Sequence, residues 1–328
     1  MSAFDPNIMG IDDTFTSSNS SSSTSTSSAS SRNPNYTTNR HSTTALTSSL
    51  DAYRSKSSLQ TYNYPLHDPY LPLFRTPCSS TGLTDTRSSN PLTRRGYYVR
   101  QKCVDITVDK FIKGGGTQIV ELGSGWSTLY LRMFESFEDD FTWVEVDYPS
   151  LLDSKIECLS QVKDLTGSLK FLKRDITGDA FVDDLKKLID PSVRTLFILE
   201  AVGMYIPSSS FSDLLRNLTG EFKKCEVAVY DVVLQGRFGL MMKENLVKAG
   251  VHPLGLSKTS LNAWSEFFSA SNLKKSEVMT MLQAYKGGIM SREERMKCDG
   301  VEFLDEVEEW EMIMNCYCFC TGRNYDCD

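Results

Sequence analysis

The chain has 328 residues, and its 42 acidic side chains outnumber the 35 basic ones, which gives a formal net charge of −7. This acidity disfavours a duplex nucleic-acid partner, because such a partner needs clustered lysine and arginine. No apolar run reaches the roughly 18 residues of a membrane span, and no hydrophobic signal segment precedes the serine-rich start. We therefore expect a soluble, intracellular and cytoplasmic protein that binds neither nucleic acid nor membrane.

The first 50 residues differ in composition from the rest. Residues 14–31 read TFTSSNSSSSTSTSSASS, with almost no apolar side chain to bury. Burial cannot offset the entropy lost on ordering such a segment. We predict a disordered Ser/Thr-rich tail over residues 1–50, whose removal leaves activity intact, and a folded domain over residues 51–328.

Helix and strand patterns alternate through the middle of the chain, as is typical of a parallel sheet. A helical pattern over Cys103–Ile112 precedes the first strand and ends at the glycines of residues 114–116. The strands that follow are predicted at Ile119–Leu122, Phe141–Val146, Leu169–Lys173, Thr195–Leu199 and Val227–Val233. Residues 236–305 have the mixed helical pattern of a lid or substrate insertion, and the last strands are predicted around Val307–Thr321.

The run TQIVELGSGWST, residues 117–128, combines a buried strand with two glycines, Gly123 and Gly125, that allow a sharp turn into a helix. Such units bind either nicotinamide dinucleotides or S-adenosylmethionine. A dinucleotide site needs a third glycine near the pyrophosphate, and Thr128 occupies that position here. Glu121, before the turn, would repel a pyrophosphate and suits the cationic end of S-adenosylmethionine. The turn favours the second class and leaves both open.

Acidic residues stand at the predicted ends of four strands: Glu121, Asp147, Asp175 and Glu200. Ligands of an open parallel sheet lie beyond the carboxyl ends of its strands, so these side chains are expected to gather at one site. Asp147 follows Gly125 by about 20 positions, which is where a carboxylate holds the two ribose hydroxyls in either cofactor class. Four acids disfavour a phosphate ligand and favour a cationic one.

The nine cysteines are an odd number and scattered, as is typical of reduced thiols in a cytosolic protein. Three of them alternate in the run NCYCFCTG, residues 315–322, so in a strand they point to one face. A metal site would need a fourth ligand, and the three histidines of the chain lack metal-ligand spacing. Because free cysteine is among the most buried residue types, we predict a core strand here and no bound metal.

Five motifs together carry a specific resemblance. They are RRGYYVR (Arg94–Arg100), ELGSG with the acid-tipped EVDYP (Glu145–Pro149), LFILEAVGMYIP (Leu196–Pro207), GRFGLMMKENL (Gly236–Leu246) and VEFLDEVEEWEMI (Val301–Ile313). From about Asp51 to Arg323 the chain resembles the leucine carboxyl methyltransferase family. The resemblance implies an α/β, class I S-adenosylmethionine-dependent methyltransferase (Rossmann-like) fold. Its mostly parallel seven-stranded sheet would have an antiparallel last strand, and a helical lid would cover it.

The resemblance also implies the cofactor-binding residues, which are Lys56, Arg100, Gly123, Asp147, Asp175, Ile176 and Glu200. In this assignment Arg100 faces the carboxylate of S-adenosylmethionine, Gly123 underlies its methionine part and Asp147 holds its ribose. Asp175 and Ile176 lie beside its adenine. The family loop often has aspartate at the position of Ser127, and we expect the serine to cap the following helix instead.

The implied reaction transfers a methyl group from S-adenosylmethionine to the α-carboxylate of the C-terminal leucine of the type 2A protein phosphatase catalytic subunit. S-adenosylhomocysteine is the product, and phosphatase assembly is the process regulated. The implied contacts are the C-terminal tail and the active-site face of that subunit, and we expect the enzyme to be a monomer. An α-carboxyl group has a pKa of about 3.3–3.7, so the nucleophile arrives deprotonated and needs no general base.

The remaining catalytic task is to align the carboxylate and to exclude water. We predict Arg100 and Tyr205 as catalytic residues, because a planar guanidinium matches a carboxylate and an aromatic wall keeps the slot dry. Tyr97 and Tyr98 are further candidates for that wall. Three other functions stay open: a wybutosine-type tRNA carboxyl methyltransferase, a small-molecule O-methyltransferase, and a non-enzymatic protein that binds the phosphatase tail.

Overall fold

The computed structural model describes residues 34–75, 90–134, 141–162, 168–248, 255 and 257–326. Within these ranges the side chains of residues 34–47, 245, 246 and 248 are not described. The prediction of disorder for residues 1–33 lies outside the described residues. No described helix combines the length and the apolar character needed to cross a bilayer.

One seven-stranded sheet forms the centre of the protein, with the strand order β3-β2-β1-β4-β5-β7-β6. The strands are β1 (Gln118–Leu122), β2 (Thr142–Asp147), β3 (Leu169–Lys173), β4 (Thr195–Glu200), β5 (Cys225–Val232), β6 (Lys275–Thr280) and β7 (Tyr317–Arg323). Strand β7 is antiparallel to both β5 and β6, whereas the pairs formed by β1 to β5 are parallel. This is the class I S-adenosylmethionine-dependent methyltransferase fold, so the predicted fold class and its antiparallel last strand are confirmed.

Helices cover both faces of the sheet. They are α1 (Pro34–Thr61), α2 (Pro91–Lys113), α3 (Leu129–Met133), α4 (Pro149–Leu159), α5 (Phe181–Lys186), α6 (Ser208–Glu221), α7 (Gly236–Lys248), α8 (Leu261–Ala270), α9 (Met281–Gln283), α10 (Arg292–Asp299) and α11 (Val307–Met314). Short 3-10 turns occur at Leu71–Phe74 and Gly203–Tyr205. Because β1, β2, β4 and β5 are buried on both faces, alternate residues of one strand belong to two cores: Ile119 packs on the α2 side and Val120 on the α6 side.

Helix α2 carries the first functional motif to the carboxyl edge of the sheet. The side chain of Asn90 accepts a hydrogen bond from the Thr93 N–H at 2.9 Å, and Pro91 occupies the first helical position. The helix ends at Gly114, before the amino end of β1. Val99 and Cys103 bury the apolar face of α2 in the core. Because the last turn of α2 lies at the amino end of β1, Arg100 in the first half of the helix lies toward the carboxyl ends of the strands.

Two expectations for the C-terminal third of the chain are wrong. Strand β6 lies inside residues 236–305, which the pattern had assigned to a helical insertion, and residues 307–314 are helical. Strand β6 reads KSEVMT and is mostly half-buried or exposed, so it lacks the apolar run that identifies a central strand. In α11, Trp310 and Met314 are four residues apart and both buried, which is helical spacing.

The boundary predicted between residues 50 and 51 is also corrected. Helix α1 begins at Pro34 and continues to Thr61, so residues 34–50 belong to an ordered helix and not to a disordered tail. Leu50, Tyr53 and Leu59 are buried in the same core as α2. The serine-rich composition hid this helix, because its stabilisation comes from packing against the domain and not from local propensity.

Candidate active site

The glycine turn after β1 joins the ends of three strands. Gly123 has φ +73° and Gly125 has φ +49°, both in the left-handed region that favours glycine. The N–H of Gly123 donates to the Val146 carbonyl at 2.8 Å. A Cβ atom on Gly123 would lie 2.7 Å from a methyl group of Val202, just beyond β4. The turn therefore requires glycine here for both its conformation and its close approach.

Asp147, the last residue of β2, stabilises this turn through hydrogen bonds to its carboxylate. One carboxylate oxygen accepts the N–H of Gly125 at 2.8 Å, and the other accepts the N–H of Tyr148 at 2.7 Å. The residue is 8% exposed, and burial raises the pKa of Asp147 although both N–H donors oppose the shift. The structure thus brings the predicted ribose acid and the predicted methionine-contacting Gly123 to the same edge of the sheet.

Asp175 and Ile176 follow β3 on the adjoining edge. Asp175 accepts the N–H of Thr177 at 2.9 Å and its hydroxyl at 2.7 Å, and it also interacts with the Tyr148 hydroxyl. Ile176 is half-buried against the core on the α6 side. Tyr148 therefore links Asp175 to the position of Asp147, as expected for two parts of one cofactor site.

Glu200, at the end of β4, is paired with two cations. Its Oε1 atom lies 2.5 Å from Nε of Arg100, and its Oε2 atom lies 3.8 Å from Nζ of Lys56. Burial acts to raise the pKa of Glu200, but the charges of Arg100 and Lys56 outweigh it and lower that pKa to about 2. The expected rim of free negative charge is wrong at this position, because the two cations exceed the single carboxylate and leave the cluster suited to an anionic group.

Glu121 does not lie on the rim. Its Oε1 atom accepts the Ser127 hydroxyl at 2.8 Å and its Oε2 atom accepts the indole N–H of Trp143 at 3.1 Å, and the residue is 3% exposed. Alternation along β1 turns this side chain toward the α2 face, which is why it misses the strand tip. Ser127 also accepts the N–H of Leu129 at 3.2 Å, but the N-cap residue of that helix is Thr128, so the prediction that Ser127 caps the helix is wrong by one position.

Two of the three tyrosines predicted for an aromatic wall, Tyr97 and Tyr205, lie near Arg100. The guanidinium of Arg100 lies 5.1 Å from the ring centre of Tyr97, and burial together with Tyr97 raises the pKa of Tyr205 to about 12. Both rings are half-buried. Tyr98 is wrong: it is 1% exposed and packs against Tyr64 with ring centres 5.5 Å apart, because it projects from a different side of α2.

Two further tyrosines, Tyr230 on β5 and Tyr317 on β7, were missed. Their rings stack with centres 5.5 Å apart and an interplanar angle of 9°. The guanidinium of Arg100 lies 4.6 Å from the centre of the Tyr230 ring. Tyr230 lies near the end of β5, opposite Glu200 on the neighbouring strand, whereas Tyr317 approaches only because β7 pairs with β5.

A buried network that the sequence did not predict joins the segment after α1 and helix α2 to the helix that follows the glycine turn. Arg132 of α3 binds both carboxylate oxygens of Asp105, at 2.8 and 2.9 Å. Its Nε atom lies 3.6 Å from Asp68, which accepts the Thr128 hydroxyl at 2.5 Å. These contacts join the segment after α1 to the helix that follows the turn, and they hold Arg132 close to the Glu200 cluster.

The core assignment of the alternating cysteines is confirmed. Cys316, Cys318 and Cys320 are free and buried, and the last two belong to the core on the α6 side. The Cys318 thiol lies 3.5 Å from the Asp231 carbonyl oxygen. No group of three potential metal ligands occurs in the part of the chain that the structure describes.

Helix α1 crosses this site. Ser48 hydrogen bonds with Tyr205, and the Cβ atom of Ser49 lies 3.2 Å from where a Cβ of Gly125 would be. Lys56, about two helical turns further along, reaches Glu200. The N-terminal helix is therefore part of the wall of the site and not an appendage to it.

Deleting residues 1–33 is expected to leave methyl transfer within about twofold of the full chain, since the site contacts described above begin at Ser48. Deleting residues 1–50 is expected to reduce it strongly, because that deletion removes Ser48, Ser49 and the buried Leu50. Initial rates of the two truncated proteins, with thermal unfolding as a check on folding, measure the difference. Equal rates for both would show that the first half of α1 does not serve the site.

Comparison with known proteins agrees with this geometry. Residues 71–219 match the model of the family described as leucine carboxyl methyltransferase. The protein named leucine carboxyl methyltransferase 1 of Yarrowia lipolytica is 28% identical over 261 residues, covering 71% of this chain and 79% of its own length. The protein of the same name in Schizosaccharomyces pombe is 27% identical over 297 residues, covering 82% and 91%.

A solved structure supports the fold alone. A DUF574 family protein from Streptomyces avermitilis aligns with a TM-score of 0.51 at 12% identity, covering 70% of this chain and 84% of that one. The family match includes the glycine turn, Asp147, Arg100 and Glu200, which are the residues that the structure gathers at the edge of the sheet. By this match, this fold and these relatives, the chain is similar to the leucine carboxyl methyltransferase family.

Proposed function

We propose that this protein transfers a methyl group from S-adenosylmethionine to the α-carboxylate of the C-terminal leucine of the type 2A protein phosphatase catalytic subunit. The observation that carries the proposal is the buried cluster of Arg100, Lys56 and Glu200 beside the glycine turn held by Asp147. One part of this edge suits a ribose and a methionine chain, and the adjoining part suits a carboxylate. The phosphatase would present its tail and its active-site face, and the enzyme would act as a monomer in the cytoplasm.

The residues of the glycine turn fit the proposed methyl donor. The left-handed φ of Gly123 and its close contact with Val202 both require glycine, so no side chain covers the backbone of the turn at this position. Asp147 accepts one N–H on each oxygen, which leaves acceptor capacity for the two ribose hydroxyls. Asp175 and Ile176 would flank the adenine. S-adenosylmethionine would supply its sulfonium methyl group as the electrophile.

The cation cluster fits the methyl acceptor. Arg100 is 8% exposed, and the Glu200 carboxylate fixes its guanidinium from one side, so its remaining N–H donors have a defined direction. A carboxylate bound to them would stay ionised, because a neighbouring cation lowers the pKa of an acid. No proton has to be removed by the protein, and its contribution is alignment and exclusion of water.

The half-buried Tyr97 and Tyr205 support the exclusion of water. An anion and a sulfonium partly neutralise each other in the transition state, so a dry aromatic slot favours that state over separated charges. Helix α1 closes the slot through the hydrogen bond between Ser48 and Tyr205. These residues bind, orient and desolvate the reacting groups, and none of them has to transfer a proton.

The decisive test is the transfer of labelled methyl groups to the purified catalytic subunit, with an otherwise identical subunit lacking its terminal leucine as the matched control. We expect alkali-labile label on the intact subunit and less than a tenth of it on the shortened one. Equal labelling of both would overturn the proposal. Incubation with total tRNA in parallel tests the alternative acceptor, and label on tRNA alone would favour that function instead.

A further inference from the structure

We propose that Asp231 of β5 is a positioning residue for methyl transfer, which fixes the turn after β4, residues 201–205. Through this turn it places Glu200, just before the turn, and Tyr205, at its end. The inference rests on the proposed function and adds a residue that acts on the site from behind. It follows from a buried carboxylate that lies against the backbone of the turn.

The turn after β4 is held in a strained conformation. Ala201 has φ +60°, in the left-handed region that a residue with a side chain rarely adopts. Its N–H donates to the Tyr230 carbonyl oxygen at 2.7 Å. Such strain persists only where surrounding contacts fix the backbone, and it is typical of functional sites. The directions of Glu200 and Tyr205 therefore depend on the contacts that hold this turn.

Asp231 supplies such contacts from the inner side of the turn. Its neighbour Tyr230 lies in the core on the α2 side, so alternation along β5 directs Asp231 toward the α6 side. A Cβ atom added to Gly203 would lie 2.7 Å from Oδ2 of Asp231. The carboxylate also interacts with the Met204 N–H, and its Oδ1 atom accepts the Val232 N–H at 2.7 Å. Because hydrogen bonds to a charged acceptor are about twice as strong as neutral ones, the ionised acid fixes the turn best.

Lys258 partly compensates the charge of Asp231. It is 6% exposed, and its Nζ atom lies 3.9 Å from the ring centre of Phe267 and 4.5 Å from that of Trp264. Aromatic faces at these distances favour a cation. The charge of Lys258 lowers the pKa of Asp231, but burial outweighs it and raises that pKa to about 6.

The ionised carboxylate of Asp231 opposes folding at neutral pH. Its folded-state pKa of about 6 exceeds the usual value of about 3.9, so the folded state binds the proton more tightly than the unfolded state. The free energy of unfolding therefore falls as the pH rises from about 4 to about 6. A buried charge that opposes folding and lies against a turn of the site is typical of a functional residue, because a structural position is better filled by a neutral side chain.

The experiment replaces Asp231 by asparagine, which keeps the shape and one acceptor oxygen but removes the charge. In Asp231→Asn we expect kcat for methyl transfer to the phosphatase catalytic subunit to fall by about tenfold or more, since a misplacement of about 1 Å can cost about 100-fold. The thermal midpoint at pH 8 should be unchanged or higher, because the buried charge is gone. A merely structural role would lower the midpoint and leave the kcat of the folded protein unchanged. Asp213→Ala, at an acid that is 63% exposed on α6, is the control and should alter neither value.

The pH profile of kcat gives a second readout. The titratable groups among the described residues that face Asp231 are Lys258, Arg100, Tyr205 and Cys318. Wild-type kcat should fall as the pH drops through about 6, because the protonated acid is a weaker acceptor, whereas the α-carboxylate of the substrate stays ionised to about pH 4. Asp231→Asn should lack this fall, and Lys258→Met should move it to higher pH. The same fall in wild type and Asp231→Asn would overturn the assignment.

Hydrogen exchange of the turn tests the same role without a methyl acceptor. The amides of residues 201–205 should exchange about tenfold faster or more in Asp231→Asn than in the wild type, and at the wild-type rate in Asp213→Ala. Either an unchanged exchange rate or an unchanged kcat overturns the positioning role and leaves the proposed function standing. Wild-type transfer that does not depend on the terminal leucine overturns the proposed function, and the exchange rates then still test the role of Asp231.

Discussion

Replacing Asp147 by alanine is expected to weaken S-adenosylmethionine binding by about 100-fold or more. The carboxylate accepts the N–H groups of Gly125 and Tyr148 and would also accept the ribose hydroxyls. Hydrogen bonds to a charged group contribute about 1.5–3 kcal/mol each, and every 1.4 kcal/mol is about tenfold in affinity. Alanine removes the proposed ligand contacts and also the acceptor that shapes the glycine turn. Isothermal titration calorimetry with the methyl donor measures the loss directly.

The control for this experiment separates ligand binding from loop structure. Asp147→Asn keeps one oxygen for the Gly125 N–H but loses the charge and one acceptor, so its affinity should fall between those of the wild type and alanine. Asp153→Ala removes an acid from a position that is 61% exposed on α4 and should bind normally. Near-normal binding by Asp147→Ala would remove the ribose assignment.

Replacing Arg100 by alanine is expected to abolish most methyl transfer and to destabilise the fold. Arg100 is the closer of the two cations at Glu200, and its removal leaves a buried carboxylate with Lys56 at 3.8 Å. Breaking a buried pair by removing one partner costs about 3–5 kcal/mol. Burial would then raise the pKa of Glu200 from about 2, and the acceptor carboxylate would lose its planar partner. Methyl transfer rates and urea unfolding report the two effects.

Two companion variants distinguish catalysis from stability at this pair. Arg100→Lys keeps the positive charge but lacks the planar guanidinium group with its several N–H donors, so it should recover stability more than activity. Arg100→Met combined with Lys56→Met and Glu200→Gln removes all three charges of the cluster and should be more stable than Arg100→Ala, yet equally inactive. Arg216→Ala removes a half-exposed arginine on α6 and should alter neither property. Full methyl transfer by Arg100→Ala would contradict its proposed role at the carboxylate.

The strand and turn positions could be predicted because their signals are local. An apolar run followed by glycine or an acid marks β1, β2, β3 and β4 within one or two residues of where the structure has them. The helix α1 and the strand β6 could not be found in this way. Both depend on packing against distant parts of the chain more than on their own composition, since α1 is rich in serine and threonine and β6 is a short edge strand.

In the candidate site, too, some features could be predicted from local sequence signals and others could not. The identity of Asp147, Arg100 and Glu200 as site residues was available from the motifs that contain them, and their convergence on one edge followed from the parallel sheet. Their state of charge was not available. Glu200 appeared to be one of several free acids, whereas the structure pairs it with Arg100, one hundred positions earlier, and with Lys56 on α1.

The sequence by itself determined the fold class, the glycine turn and the acids at the strand ends, because each is encoded by a few consecutive residues whose spacing sets their direction. Only the tertiary structure decided which charges are compensated, that Glu121 turns inward, and that Tyr230 and Tyr317 stack beside Arg100. The physical reason is that these contacts join elements that become neighbours only after the sheet has formed. Their energies depend on distance and burial in the folded chain, which the order of residues alone does not record.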